Sequence, residues 1–278
     1  MRNASVGTEL GSAVAAPGVA DAGGASAARA HAGLVWTLIR TDFKVRYHGT
    51  AGGFVWALLK PLTMFVLLMA VFSFLFASTP TYKLDLIIGL FLWDFFAEST
   101  KAGLISLHSK GFLLSKAKCP SWILVVTSIS NAVITLAVFS VIIMVFLTGA
   151  GQPPSAGGLA LFVIYCIAFA LIVVGFSLGS SVLFLRYRDI NQVWDMMIQA
   201  GFFIAPIIYP IAILPERFHF HLYFWPPTAV IEFARAVLVR GAIPTATAHL
   251  CLAGVVAISL ALGWAIFRRL APRAAEYL

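Results

Sequence analysis

"LPERFHFHLYFWPPTAVIEFARAVLVRGAIP", residues 214–244, is apolar and rich in aromatic rings, yet prolines and charges interrupt it. Pro226 and Pro227 suit the first turn of a helix, where a missing N–H costs nothing, and Gly241 suits the position just past a helix end. The helix between them has about 14 residues and, at 1.5 Å per residue, a length of about 21 Å. The hydrocarbon of a bilayer is about 30 Å thick, so this helix is too short to cross it. Glu232 and Arg235 stand three residues apart on it and can pair. Irregular backbone at membrane depth is tolerated only inside protein or beside a water-filled cavity. The pattern therefore predicts that 214–243 is a re-entrant helical hairpin that dips in from the outer side and turns back.

Composition places the chain in a membrane. Of its 278 residues 61% are hydrophobic and only 11% are charged, with a mean hydropathy of +0.95. A soluble domain carries about 25% charged residues, and this chain has too few to cover a water-facing surface. The net charge of +8 does not point to nucleic acid, because the positive charges flank apolar runs. They read as topology signals and as contacts to anionic membrane lipid. Cys119, Cys166 and Cys251 show neither disulfide nor zinc spacing. Residues 1–30 are rich in Ala, Gly and Ser, lack the hydrophobic run of a signal peptide, and are expected to form a disordered cytosolic tail.

The fold expected is an all-α membrane protein with six spans, near 54–78, 86–107, 121–148, 159–185, 195–214 and 248–267, within a permease domain over 49–270. With the N-terminus inside, the inner segments hold Arg2, Arg29, Arg40, Lys44, Arg46, Lys60, Lys101, Lys110, Lys116, Lys118, Arg186, Arg188, Arg268, Arg269 and Arg273. The outer segments hold only Lys83, Arg217, Arg235 and Arg240, a division of 15 against 4 that accounts for all 19. This asymmetry predicts both termini in the cytosol, with 271–278 as a short cytosolic end. Ahead of the first span, residues 31–48 form an amphipathic interface helix. Trp36, Ile39, Phe43 and Tyr47 share one face, and Thr37, Thr41, Lys44 and His48 lie opposite.

Two inner loops remain. "LFLRYRDINQVWDMM", 183–197, places Arg186, Arg188, Asp189 and Asp195 between two apolar spans, where water reaches them. "KAGLISLHSKGFLLSKAKCPSW", 101–122, is basic and contains a short amphipathic piece near Leu107–Ala117. The loops and the surface helix are the features able to meet a cytosolic partner, and the Arg186–Asp189 loop is expected to pair with Lys44 or Arg46. Within the second span lie Asp94, Glu98 and Lys101. A charge at the bilayer centre costs about 2.5–3.5 kcal/mol, so such residues face protein and either pair or mark a pathway. Lys101 is placed to neutralise one of the two acids.

Three of these segments resemble a known family. "LIRTDFKVRYHGTAGGFVWALLKPL" is similar to the start of type-two ABC-exporter permeases of the polysaccharide class, which export O-antigen, capsule and teichoic-acid chains; Arg46, Tyr47, Gly53, Trp56 and Pro61 carry the match. "LRYRDINQVWDMMIQAGFFIAPIIYP" resembles the family's second signature through Arg188, Asp189, Ile190, Pro206 and Pro210. "WPPTAVIEFARAVLVRG" resembles the third through Pro227, Arg235 and Gly241, with Pro226 where the family tends to carry Asn. The resemblance covers about 34–270. It implies a homodimer with the cargo path between two copies, and a cytosolic ABC ATPase that binds the ATP and magnesium. It also implies a coupling helix after the second span, and a polysaccharide on an isoprenoid lipid as cargo. The Ala-rich composition is compatible with an actinobacterium and a cell-wall galactan. Under that resemblance Lys110, Lys116, Lys118, Arg186, Arg188, Asp189, Lys44 and Arg46 are the ATPase-coupling candidates. Phe65, Phe72, Asp94, Glu98, Tyr209, Phe218, Tyr223 and Trp225 are the cargo-path candidates, because sugar C–H faces stack on aromatic rings.

No phosphate-cradling Gly-rich loop occurs, so this chain takes its energy from a partner and holds no cofactor of its own. His219 and His221 lack further ligands in view and are not read as a metal site. No Ser/His/Asp order suggests a nucleophile. The rival readings are a drug or small-lipid exporter of the same superfamily, a membrane-embedded glycan-processing enzyme, and a passive channel. Accessibility labelling is expected to find both chain ends on the cytosolic side; ends on opposite sides would leave an odd number of crossings and remove the hairpin.

Overall fold

Helices account for every regular element among the described residues of the computed structural model, which are 24–47, 52–76, 79–116, 120–215, 217, 222–223 and 225–272. In chain order they are α1 (Gly24–Tyr47), α2 (Val55–Phe72), α3 (Tyr82–Leu104), α4 (Ser106–Ser109), α5 (Gly111–Lys116), α6 (Ser121–Ser128), α7 (Ser130–Gly149), α8 (Ala156–Arg186), α9 (Ile190–Ile204), α10 (Pro226–Leu238) and α11 (Ala246–Leu270), with a 3-10 turn at Ile211–Ile213. The surface helix starts earlier than expected, so 24–30 are helical rather than part of a tail. Residues 1–23 and 273–278, with most of the expected tail and C-terminus, lie outside the described residues.

Four helices are long and apolar enough to cross a bilayer: Val55–Phe72, Ser121–Gly149 (α6 and α7 together), Ala156–Arg186 and Ala246–Leu270. They match the expected first, third, fourth and sixth spans. Helix α3, the expected second, has 23 residues and a length of about 34 Å. It carries Lys83, Asp85, Asp94, Glu98 and Lys101 along the way. The expected fifth span, 195–214, is not one continuous helix. Helix α9 begins at Ile190 and stops after 15 residues at Ile204. The break is chemical: Pro206 lacks an N–H to continue the ladder, and the backbone turns extended at Ala205 (φ −68°, ψ 138°).

Helix α8 is the central post. On one side it meets α11 at backbone distance: a Cβ added to Gly263 would lie 1.8 Å from the carbonyl oxygen of Gly175. The hydroxyl of Ser259 donates to the Ile172 carbonyl at 2.9 Å, adding a polar tie at the same crossing. Small residues let two helices approach this closely in a membrane, where van der Waals packing rather than water expulsion holds helices together. On its other sides α8 packs on α3 and α10. Phe91 of α3 stacks on Phe139 of α7 (centroids 4.2 Å), and Phe96 stacks flat on Phe169 of α8 (5.7 Å).

Helix α10 has 13 residues and is held almost wholly inside the bundle, between α3 and α8. Both of its ends follow the sequence expectation. Pro226 and Pro227 occupy the first turn. Gly241 adopts φ +61°, and the Ala242 N–H reaches back to the Ala236 carbonyl at 2.9 Å, the closure that glycine allows past a helix end. Helix α10 runs antiparallel to α3: its start lies against Phe96 and its later part against Asp85. Of the partnering limb, 214–225, only Leu214, Pro215, Arg217, Leu222, Tyr223 and Trp225 are described.

Two helices are bound loosely. Helix α2 buries only Pro61, Phe65 and Leu68, and α9 buries only Gly201. Val66, Leu67 and Val71 of α2 and Met196, Met197 and Phe203 of α9 are exposed.

Replacing Gly263 with Leu is expected to force α8 and α11 apart and to lower stability by about 1–3 kcal/mol or more. Gly254→Ala, one helix face away with nothing within 4 Å of an added Cβ, is expected to leave it unchanged or raise it slightly. Thermal unfolding of the two variants in the same detergent checks the contrast.

Candidate functional site

At the basic end of the bundle, which carries Lys101, Lys110, Arg186 and Arg188, the surface helix is fastened by two ion pairs. Asp42 of α1 meets Lys110, whose ammonium lies 2.5 Å from Oδ2 and also donates to the Thr127 hydroxyl at 3.0 Å. This ties α1, the α4–α5 segment and α6 at one point, with Lys110 mostly buried. Arg46, one turn farther along α1, pairs with Glu98 of α3. Phe43, Tyr47 and Phe54 form a ring cluster beside it, with Tyr47 edge-on to Phe54 at 5.2 Å. Burial at this seam raises the Tyr47 phenol above its ordinary 10.0, so it stays neutral there. Trp36, expected on the same face, is 67% exposed and turned away.

These pairs differ from those the sequence suggested. Lys101 does not neutralise Glu98 or Asp94; it reaches Asp195 of α9 at 2.7 Å. One position before Asp195, Trp194 donates its indole N–H to the Thr100 hydroxyl at 3.1 Å, so α9 is pinned to the same end of α3. The expected contact between the Arg186–Asp189 turn and the surface helix is not made among the described residues. Arg46 is taken up instead by Glu98 of α3, which leaves it no need of Asp189, and Lys44 is exposed to solvent. Arg186, Arg188 and Asp189 are exposed as well. Lys116 closes α5, but its side chain, and all of Lys118, lie outside the described residues. Asp94 is half-buried on α3 and makes no hydrogen bond or ion pair among the described residues.

Among the described residues no ring contact joins one of the aromatic cargo-path candidates to another. Phe65 is buried against Phe146 of α7 (5.6 Å, edge-on). Phe72 stacks on Phe76 (6.3 Å). Tyr209 closes the end of α9, its hydroxyl donating to the carbonyls of Phe203 and Ile204 at 3.1 and 3.0 Å. Trp225 is wedged in the interior against Phe96 (5.8 Å), Trp194 (6.4 Å) and Gly201. Tyr223 is exposed, and Phe218, His219 and His221 lie outside the described residues.

The strongest polar feature is at the opposite end, and sequence reasoning saw only its Glu232–Arg235 pair. Arg235 of α10 is 1% exposed. Its guanidinium donates to the Asp85 carbonyl of α3 from Nε (2.9 Å) and Nη2 (2.7 Å), to the Pro206 carbonyl from Nη1 (2.5 Å) and to the Ile207 carbonyl from Nη2 (3.1 Å). Nη1 also meets Glu232 Oε1 at 2.8 Å. Arg240 reaches the other Glu232 oxygen at 3.2 Å and approaches Asp85 Oδ1 at 3.9 Å. The Thr81 hydroxyl donates to Asp85 Oδ2 at 2.9 Å, and the Tyr82 hydroxyl to the Ile208 carbonyl at 2.9 Å. Two cations thus face two carboxylates, and the carbonyls of the non-helical segment that follows the break, Pro206, Ile207 and Ile208, are taken up by donors from α10 and α3. The legible signal was the combination of a proline-broken span with one Arg on a short apolar helix.

The family described as ABC-2 type transporter matches residues 33–239 of this chain. An O-antigen export system permease protein of Klebsiella pneumoniae is 26% identical over 247 residues, covering 88% of this chain and 95% of that protein. The protein of the same name from Myxococcus xanthus is 24% identical over 240 residues, 84% of this chain and 89% of its own. A polysialic acid transport protein of Escherichia coli is 20% identical over 240 residues, 84% and 92% respectively.

Arg235→Met leaves three backbone carbonyls without their donor and Glu232 with Arg240 alone. Removing one partner of a buried ion pair costs about 3–5 kcal/mol, so the variant is expected to unfold early or fail to assemble. Adding Glu232→Leu to it is expected to recover part of that loss. A double-mutant cycle on thermal stability checks the coupling.

Proposed function

This chain belongs to the ABC-2 type transporter family, a multi-pass membrane transport subunit, and on that premise we propose that it is the membrane half of an ATP-driven exporter of lipid-linked polysaccharide. The observation that carries the reading is the near full-length similarity to permeases whose names specify O-antigen export and polysialic acid transport. The sequence adds to it: the chain has dense aromatic side chains suited to the C–H faces of sugars and carries no Gly-x-x-x-x-Gly-Lys-Ser/Thr phosphate cradle.

In this reading the protein sits in the cytoplasmic membrane with both termini in the cytosol and works as a homodimer. The exposed apolar flanks of α2 and α9 are the surfaces a second copy would cover. The basic end is the cytosolic end, and the ATPase, with its ATP and magnesium, docks there. Its landing site comprises the α4–α5 segment and the exposed Arg186, Arg188 and Asp189. A push on α4–α5 passes to the surface helix through Lys110–Asp42 and to α3 directly. From α3 it passes to α9 through Lys101–Asp195. The linkage therefore joins the docking segment to one of the two loosely packed helices. A polymer sliding between copies needs weak, repeated contacts, because a tight site would stop it.

Depletion of this subunit in its host is expected to leave lipid-linked glycan on the inner leaflet and to lower surface glycan, with drug susceptibility unchanged. Glycan extraction from inner and outer leaflets, read beside drug-sensitivity plates, decides between this and the drug-exporter reading. Normal surface glycan with new drug sensitivity would overturn it.

A further inference from the structure

The exposed indoles of the described residues all stand at the basic end: Trp36 on α1, Trp56 and Trp122 in the first turns of α2 and α6, and Trp264 near the end of α11. Trp93, Trp194 and Trp225 pack in the interior. Two of the exposed indoles stand one turn before an exposed cation, Trp36 before Arg40 and Trp264 before Arg268. On α1 the series continues to Lys44, so Trp36, Arg40 and Lys44 form an exposed line of about 12 Å. None of these three cations makes an ion pair among the described residues. The exposed acid at this end is Asp189, in the turn between α8 and α9.

The line on α1 points away from the bundle because the other side of the helix is occupied. Leu38 packs against a cluster that contains Leu107, Leu124, Leu185 and Phe267, Asp42 meets Lys110, and Arg46 meets Glu98. Phe43 and Tyr47, expected on the membrane side, lie against Phe54 instead. What α1 leaves outward is one indole followed by two cations. Leu270 of α11 packs on the same cluster as Leu38, and Trp264 is stacked on Phe267 (6.0 Å), so the two indole–cation couples share one level. Helix α11 is long and apolar enough to cross a bilayer, with Trp264 and Arg268 in its last two turns. That level is therefore the level of the headgroups. An indole is favoured at the boundary of headgroups and acyl chains, and Lys and Arg reach from there to phosphates. Cations with no acid beside them gain about fivefold each at an anionic surface and little at a neutral one.

We propose that the outward line of α1 and the last turns of α11 form a docking surface for anionic phospholipid headgroups of the cytosolic leaflet. Arg40, Lys44 and Arg268 take the phosphates, and the Trp36 and Trp264 rings lie at the edge of the acyl chains. The headgroups hold α1 from outside while Asp42 and Arg46 hold it from inside, so the lipid supports the helix that braces Lys110 of the α4–α5 segment. This rests on the orientation proposed above. It is separate from the α4–α5 segment and the α8–α9 turn assigned to the ATPase.

The test uses the full chain in mild detergent, without nucleotide or glycan, titrated with phosphatidylglycerol or with phosphatidylcholine of the same acyl chains and read by native mass spectrometry. The wild type is expected to prefer phosphatidylglycerol. Arg40→Gln with Lys44→Gln, at exposed positions where Gln keeps the helix, is expected to lower that preference about 25-fold, and Arg268→Gln alone about fivefold. Trp36→Ala is expected to weaken retention of both lipids. Arg186→Gln with Arg188→Gln removes the same charge from the same end and is expected to leave the preference as it was. An unchanged preference in the α1 double variant would overturn the surface. An equal fall in the two double variants would reduce it to net charge and overturn it as well. Loss of assembly with the ATPase in the α1 double variant, with lipid preference intact, would give this face to that protein and likewise overturn it. No transport is measured, so failure here leaves the export reading standing.

Discussion

A guanidinium buried where a membrane helix breaks is the constraint around which the opposite end of the bundle is arranged. Non-helical backbone that follows such a break inside apolar surroundings has carbonyls with no water to satisfy them, each costing several kcal/mol. Arg235 accepts that burden for Pro206 and Ile207 and adds the Asp85 carbonyl of α3. Its own charge must then be balanced, which Glu232 does from the preceding turn, and Arg240 occupies the second oxygen of the same carboxylate. A lysine has one compact donor head and no planar fork to reach carbonyls on two sides. The half-length of α10, the stop of α9 and the acidic residue near the start of α3 are therefore parts of one solution.

The basic end is arranged differently. There two of the three pairs, Arg46–Glu98 and Lys101–Asp195, are partly exposed, and such pairs are worth little in stability, about 0–1 kcal/mol. What they supply is connectivity. Asp42–Lys110, Arg46–Glu98 and Lys101–Asp195 each join two elements that are distant in sequence. Together they tie the surface helix and α9 to α3, while the turn between α8 and α9 is left exposed.

Much of the frame was legible in the sequence because it depends on local rules. Apolar run length gave the long helices, and prolines with a distal glycine gave both ends of α10. The Lys and Arg asymmetry marked one end as basic. What escaped was non-local. Nothing in the spacing of Lys101 says that its acid lies 94 residues away in Asp195, since a turn-by-turn reading favours Glu98 three positions earlier. The fifth span was drawn too long because apolar content continues past Ile204, although Pro206 ends the hydrogen-bond ladder. Chemical type alone does not give the contacts of Tyr209 and Trp225, a hydroxyl on the carbonyls of Phe203 and Ile204 and an indole over Gly201.

The contact of α8 and α11 at Gly175 and Gly263 has a mechanical meaning. Backbones interlocked at that spacing cannot slide or roll without collision, so the two helices travel as one rigid body. Helices α2 and α9 are the contrast: they bury few residues against the rest, so displacing either would tear open little core.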